Sequence, residues 1–313
     1  MPKDGAPPSV LITGAAGLVG TATRTAFENQ GWKVSTLDQR EQDLDGRPIE
    51  HVCNILTTDL EEKLLNVVGI IHLAAVSRVI EAELNQELCT RTNVEGTSCI
   101  LSSASAARCN WLIFASSREV YGEPVSLPVH EEDGISPINH YGRVKVVGER
   151  MVQQHCNSNG LSQSIMRFSN IYGHHADYNS RIVNSFIRRA LSGEDLRIHG
   201  GDQILDLIHV DDAATAIMSA AELLQSTHNH LPLMNVATGV PTSIEQLVKI
   251  ISEKTGVNVS MQYQPRNEFS VNRFCGNPTR MKKILGFHHS IDLSTGIERE
   301  VESLRNLRKR RAQ

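Results

Sequence analysis

Tyr141 and Lys145 stand four residues apart where a helical segment begins, and Ser116 and Ser117 close an apolar run a short way upstream. Four residues is about one helical turn, so the phenol and the ammonium project from one face. An ammonium beside a phenol favours the phenolate, which predicts a Tyr141 pKa below its usual value near ~10. A hydroxyl at the tip of a neighbouring strand, Ser117, can bond the same substrate oxygen. Such a trio can move a proton on or off an alcohol while another group takes a hydride. The Y-x-x-x-K spacing alone describes a surface pair equally well, so the rest of the chain must say whether chemistry is done there.

The elements that position the trio can be read on either side. Trp111-Leu-Ile-Phe-Ala115 has the character of a buried strand, and a loop rich in proline, glycine and acids separates it from Tyr141. Near the N-terminus, Ser9–Thr13 reads as another short buried strand. It runs into Gly14-Ala-Ala-Gly17-Leu-Val-Gly20 and then a helical segment to Gln30. Glycines so spaced let the backbone turn tightly and approach a pyrophosphate, which then sits at a helix N-terminus. The spacing is G-x-x-G-x-x-G; strand before and helix after are the context that gives it meaning. A second strand, 32–37, ends in Asp38, whose carboxylate can accept both ribose hydroxyls of NAD and would repel the 2′-phosphate of NADP. Arg40 nearby keeps NADP open. Strands over 51–55 and 69–73 continue a βαβ rhythm and a parallel sheet. Asn93 precedes a small-residue helix through Ala107, where it could be an N-cap.

Composition bounds the rest. The 313 residues are 40% hydrophobic and 21% charged with a net charge of -4, enough chain for a full core and no basic face for nucleic acid. The basic run Leu307–Gln313 reads as a solvated helix end. No apolar run approaches the ~18 residues that span a bilayer, and the lead-in MPKDGAPPS has no secretory h-region. Six cysteines without short pairing read as reduced thiols of a cytoplasmic protein. The 13 histidines show no metal-ligand spacing, and adjacent pairs such as His174-His175 are expected to point apart.

In order and at their separations, GAAGLVG (14–20), HLAA (72–75), NVEGT (93–97), SSREVYG (116–122), YGRVK (141–145), RFSNIYG (167–173) and LDLIHVDD (205–212) resemble an extended short-chain dehydrogenase/reductase of the NAD-dependent nucleotide-sugar epimerase/dehydratase group. The resemblance runs from Val10 to about Gly286. It implies an α/β fold, a doubly wound parallel Rossmann sheet with a smaller C-terminal α/β substrate-binding region. Residues 1–173 with 201–238 would hold NAD, and 174–200 with 239–313 the substrate. It makes Ser117, Tyr141 and Lys145 the catalytic residues. It places NAD against Gly14, Gly17, Leu18, Val19, Gly20, Asp38, Asn54, Ile55, Leu73, Ala74, Ala75 and Asn93, together with Tyr141 and Lys145. Asn54 stands where the group usually has Asp. Ser117, Asn170 and Arg266 would hold the nucleotide sugar, and no metal is implied. The helices that begin at Asn93 and Tyr141 would pair between two copies as a homodimer.

One departure bears on the substrate. The group usually carries Arg-Asp-Phe or Arg-Asp-Tyr before the strand at 208, its Arg gripping the diphosphate; this chain has Leu205-Asp206-Leu207. Leucine cannot neutralise a phosphate, which leaves Arg188, Arg189 or Arg197 to substitute. The reaction implied first is UDP-sugar 4-epimerisation through a transient 4-keto sugar. Glu119 stands where dehydratases and decarboxylases of the group place a proton-abstracting carboxylate, so those lyase chemistries stay open, with pairing to Arg118 as the bland alternative. A non-catalytic NAD-binding regulator is the remaining alternative.

Overall fold

Runs such as Val10-Leu11-Ile12 and Ile70-Ile71, all wholly buried, are apolar on both faces. A strand of that kind needs cover on two sides, and a parallel sheet between helix layers supplies it. The computed structural model describes residues 7–56, 60–266 and 268–312. The lead-in before Pro7, residues 57–59, Asn267 and the terminal Gln313 lie outside the described residues.

The chain opens with β1 (Ser9–Thr13), α1 (Leu18–Asn29), β2 (Lys33–Asp38), β3 (His51–Val52) and β4 (Gly69–His72). Next come α2 (Val79–Leu84), α3 (Gln86–Thr90), a π-helical stretch over Arg91–Glu95 and α4 (Gly96–Ala106). Then β5 (Trp111–Ser117), α5 (His140–Asn159) and β6 (Ser162–Phe168) complete the part that carries the trio. The seven-stranded sheet has the order β10-β6-β5-β4-β1-β2-β3, with β10 at Met234–Val236. Its pairings are all parallel. The order reverses between β1 and β4, and a crevice outside the carboxyl ends of strands at such a switch is where ligands bind.

After β6 come β7 (Asn170–Tyr172), α6 (Ile182–Ser192), β8 (Leu196–His199), β9 (Ile204–His209) and α7 (Val210–Thr227). Beyond β10 lie β11 (Pro241–Ser243), α8 (Ile244–Thr255), β12 (Met261–Gln264), α9 (Thr279–Leu285) and α10 (Leu293–Ala312). Strand β9 sits between β7 and β11, and β8 pairs with β12. An apolar cluster of its own, with Phe186, Leu205, Leu207, Leu247 and Ile297, lies under α6, α8 and α10. Ser243 caps α8 through a reciprocal capping box with Gln246, as a Ser three residues before a Gln allows. Among the described residues no helix is long and apolar enough to cross a membrane.

A buried histidine locks the switch point. His72 Nε2 lies 3.0 Å from Thr97 Oγ1, which donates to Asn93 O at 2.7 Å, so this nitrogen carries the proton. His72 Nδ1 then accepts from Thr13 Oγ1 at 2.8 Å, and Thr13 in turn accepts from Ala74 N at 3.3 Å. The chain of bonds joins β1, β4 and the π-helical stretch, and it needs a neutral ring. Burial, with Lys145 adding repulsion, lowers the His72 pKa to about 3. A histidine depressed from 6.5 contributes stability fully above pH 6.5 and loses it as pH falls toward 3. Between pH 6.5 and 4.5 that single ring should cost about 2–3 kcal/mol. Urea melts at the two pH values should show this loss in the wild type and a smaller one in His72→Gln; equal losses would remove His72 as the cause.

Candidate active site

The turn after β1 is built for close approach. Gly14 has φ +71, and a Cβ there would lie 2.7 Å from Ala74 N; one at Gly20 would lie 2.3 Å from Gly14 O. Gly17 is the N-cap of α1 and offers no side-chain cap, which leaves the first helical N–H groups free for an anion. Asp38 at the end of β2 accepts from Ala16 N at 3.0 Å through one oxygen and from Arg40 N at 3.0 Å through the other. Two cavities of about 310 and 340 Å³ share Gly14, Gly17, Leu18, Leu73, Ala75 and Arg181, and so form one cleft. Asp38, Ile55 and Ala74 line one end; Val19, Gly20, Ser117, Tyr141 and Lys145 line the other. The glycine cradle, the open helix terminus and a strand-end carboxylate fit a dinucleotide.

Two residues expected at the cofactor do not reach this cleft. Asn93 is buried and spends its amide on Val76, accepting from its N at 2.8 Å and donating to its O at 3.0 Å. It is no N-cap; it braces the loop after β4. Asn54 turns its oxygen back on Leu56 N at 2.9 Å.

The trio converges. Ser117, Tyr141 and Lys145 are all buried; Ser117 ends β5, and the other two occupy the first turns of α5. Asn139 caps α5 by accepting from Gly142 N at 2.7 Å. The electrostatics, however, differ from the sequence expectation. Tyr141 is held well above the ordinary phenol range by burial, with the Glu119 charge adding to it, while Arg181 and a hydrogen bond with Ser117 pull the other way. Lys145 is turned to the strand tip: its Nζ donates to Ala115 O at 2.6 Å and lies 5.7 Å from the Tyr141 ring centroid. Burial lowers Lys145 itself to about 8. The cation that acts most on the phenol is Arg181, at the start of α6, which spacing could not reveal.

Glu119 is committed elsewhere. Its Oε1 lies 3.0 Å from Arg118 Nη2, and its Oε2 accepts from Asn139 Nδ2 at 2.6 Å. One turn beyond Lys145, Glu149 takes both Arg167 Nε at 2.8 Å and Arg167 Nη2 at 2.7 Å, with Ser116 Oγ donating to the same carboxylate.

On the C-terminal side, Asn170 lines the cleft and donates to Asp206 O at 3.3 Å. Arg266 is exposed and pairs with Glu123 at 2.9 Å. Leu205 is buried in the apolar cluster under α6, while Asp206 accepts from Thr238, Gly239 and Gly276 as a structural clamp. None of the three arginines expected to compensate lines the cleft. Arg188 bonds Asn184 and His175 O, Arg189 faces Glu194, and Arg197 is exposed on β8. The rings of His174 and His175 stack with centroids 4.6 Å apart, against the expectation that neighbours diverge. The six cysteines are free, and no cluster that could hold a metal occurs among the described residues.

Comparison with known proteins agrees with this geometry. Residues 10–237 match the model of the NAD dependent epimerase/dehydratase family. A UDP-glucose 4-epimerase of Rhizobium leguminosarum bv. trifolii is 28% identical over 310 residues, covering 91% of this chain and 94% of its own. Two solved structures superpose with a TM-score of 0.88, each covering 96% of this chain and 99% of the other. One is MoeE5 in complex with UDP-glucose and NAD, 27% identical; the other is UDP-glucose 4-epimerase of Thermotoga maritima with UDP-glucose, 26% identical.

Asp38 sets a test of the cofactor end. Calorimetric titration should find NAD bound more tightly than NADP, because a 2′-phosphate beside this carboxylate is repelled. Asp38→Ala should narrow the gap by weakening NAD, and equal affinities in the wild type would overturn the assignment.

Proposed function

The chain belongs to the NAD dependent epimerase/dehydratase family, and on that premise we propose that it is a UDP-sugar 4-epimerase working through a transient 4-keto sugar. The observation that carries the reading is the single cleft in which the glycine turn meets Ser117, Tyr141 and Lys145. The relatives named UDP-glucose 4-epimerase support it.

The residues that would hold NAD are the Gly14–Gly20 turn, Asp38, Ile55 and Leu73–Ala75, with Lys145 at the far end. When bound, NAD would supply the acceptor, and then the donor, of the hydride at the sugar C4 carbon. The chain's own task is the proton. Tyr141 Oη takes it from the C4 hydroxyl and later gives it back, while Ser117 Oγ bonds the same oxygen. A phenol raised by burial stays protonated, and can take a proton only where cations favour its phenolate; Arg181 is in place to do so. Lys145, donating to Ala115 O, holds a positive charge at the strand tip without being the phenol's main partner.

The ion pair of Glu119 with Arg118, together with its bond from Asn139, supports a positioning role for this carboxylate. A carboxylate so tied is poorly placed to shuttle a substrate proton, which weighs against the dehydratase and decarboxylase readings. Tyr141 and Lys145 both facing the cleft weigh against a non-catalytic regulator.

In this reading residues 1–173 with 201–238 serve NAD, and 174–200 with 239–313 serve the nucleotide sugar. The free cysteines support a cytoplasmic setting. We further propose a homodimer through α4 and α5. Ala104, Val144 and Val146 are buried within the protomer, but Ser102, Ala106 and Val147 face outward, with Val147 41% exposed. Those small side chains would let two helix pairs approach in an isologous contact. Light scattering at micromolar concentration should report a dimer, and a monomer would sink this part.

The reaction class has its own test. Tyr141→Phe should lower the rate by at least ~10²–10⁴-fold, the usual worth of a positioned proton donor. Glu119→Gln should stay within about tenfold, because glutamine keeps the shape and one acceptor oxygen of this side chain and no substrate proton passes through it. In heavy water the product should carry no carbon-bound deuterium. Deuterium on the sugar carbons, or an NADH absorbance that persists in Glu119→Gln, would instead make Glu119 the proton-abstracting group of a lyase.

A further inference from the structure

Arg118 is buried beyond what its known contacts repay. Its side chain is 11% exposed and lines the cavity that holds Ser117 and Tyr141. Nη2 faces Glu119, and the guanidinium carbon lies 5.8 Å from the Phe274 ring centroid. Nη1 is buried and has no hydrogen-bond partner among the described residues. Arginine stays charged at any working pH, so a buried, unsatisfied guanidinium N–H carries a desolvation cost with nothing to offset it. Across the same cavity, Arg181 Nε also lacks a hydrogen-bond partner among the described residues, although Asp177 Oδ1 is 3.3 Å away. The charged residues lining this end are Arg118, Lys145, Arg181 and Glu119, three cations against one anion.

Sugar geometry says which part of a substrate Arg118 can reach. With the C4 oxygen between Ser117 and Tyr141, the nucleotide on C1 lies across the ring from them. The exocyclic C6 hangs on C5, the neighbour of C4. A side chain next in sequence to Ser117 is therefore nearer the groups on C3 and C5 than the diphosphate, and of those groups only the one on C6 can carry a charge. A neutral hydroxymethyl group there offers one hydrogen bond and no charge. A carboxylate offers two oxygens to the planar guanidinium and balances the excess cation.

We propose that the sugar is a hexuronate, a UDP-sugar with a carboxylate at C6, and that Arg118 is the residue that recognises it. The inference rests on the 4-epimerase reading. It also gives the pairing of Arg118 with Glu119 a purpose: with Phe274 on one face and Glu119 on one edge, the guanidinium is held in a fixed plane with its remaining edge free. The arrangement further suits an enzyme that must keep its substrate whole. A hexuronate oxidised at C4 is a β-keto acid, whose C5–C6 bond breaks as the carboxylate charge flows toward the ketone and CO₂ leaves. A guanidinium that holds the charge on the carboxylate opposes that flow.

The test compares UDP-glucuronate and UDP-glucose on the NAD-loaded protein, measuring Kd by calorimetry and kcat/KM by chromatography of the products. Binding and kcat/KM should both favour the hexuronate, by about 10- to 150-fold, the range of a hydrogen bond to a charged group. In Arg118→Gln that ratio should collapse toward one through a rise in the hexuronate KM, and Arg118→Lys should recover part of it. Because the wild-type ratio needs no variant, a misfolded Arg118→Gln leaves the test intact. Equal or better binding and turnover of UDP-glucose overturns the hexuronate assignment and leaves 4-epimerisation standing. Preferential hexuronate binding followed by CO₂ release and a UDP-pentose, or by no turnover, overturns 4-epimerisation and upholds the carboxylate site. Binding of neither sugar overturns both.

Discussion

The active site hangs on an ion pair that never meets substrate. Glu149 and Arg167, with side chains 4% and 3% exposed, face each other with two parallel hydrogen bonds between α5 and β6. Two charges taken out of water in this way hold only if nearly every lone pair and proton is used, and removing one partner typically costs about 3–5 kcal/mol. Here Ser116 bonds the carboxylate, and the Tyr121 ring lies 4.7 Å from the guanidinium carbon. Tyr121 in turn donates to Asn235 on β10 at 2.7 Å. Four elements are thereby fixed to one another: β5 next to Ser117, α5 one turn beyond Lys145, β6, and the outer strand. Ser117 and Tyr141 meet in one cavity because the structure behind them cannot slide.

Much of this was legible in the residue order. Apolar runs between helical segments gave the parallel sheet, and glycines between strand and helix gave the anion-binding turn, because both depend on local properties of consecutive residues. Asp38, one strand later, follows from the same βαβ geometry. The capping box of Ser243 and Gln246 is of the same kind, since it depends on neighbouring residues alone. The strand expected over 51–55 shrinks to His51–Val52, where pairing to β2 ends at Asp38.

What could not be read depends on which side chains come together from afar. Burial of Tyr141, with the Glu119 charge adding to it, reverses the expected direction of its pKa, and Arg181, 40 residues away in sequence, opposes that rise. Asn93 looked like a cap because its partner, Val76, belongs to another loop. The His72 relay crosses three elements and leaves no periodic trace. Leu205 reads as a missing phosphate ligand only against a family pattern; in the fold it is an ordinary core residue. The cations of the cleft sit instead beside the strand tip and at the start of α6.

The central claim is that Tyr141 exchanges a proton with the C4 hydroxyl while the hydrogen on C4 itself leaves and returns within one bound complex. The most direct measurement follows that hydrogen. A UDP-sugar carrying deuterium at C4, incubated with the NAD-loaded protein in ordinary water, can be examined by NMR and mass spectrometry after epimerisation. The product should have an inverted C4 centre that retains the deuterium, with product and substrate of equal mass. Inversion with loss of the label to water, or label remaining on an uninverted C4 while the sugar loses water or CO₂, would contradict it.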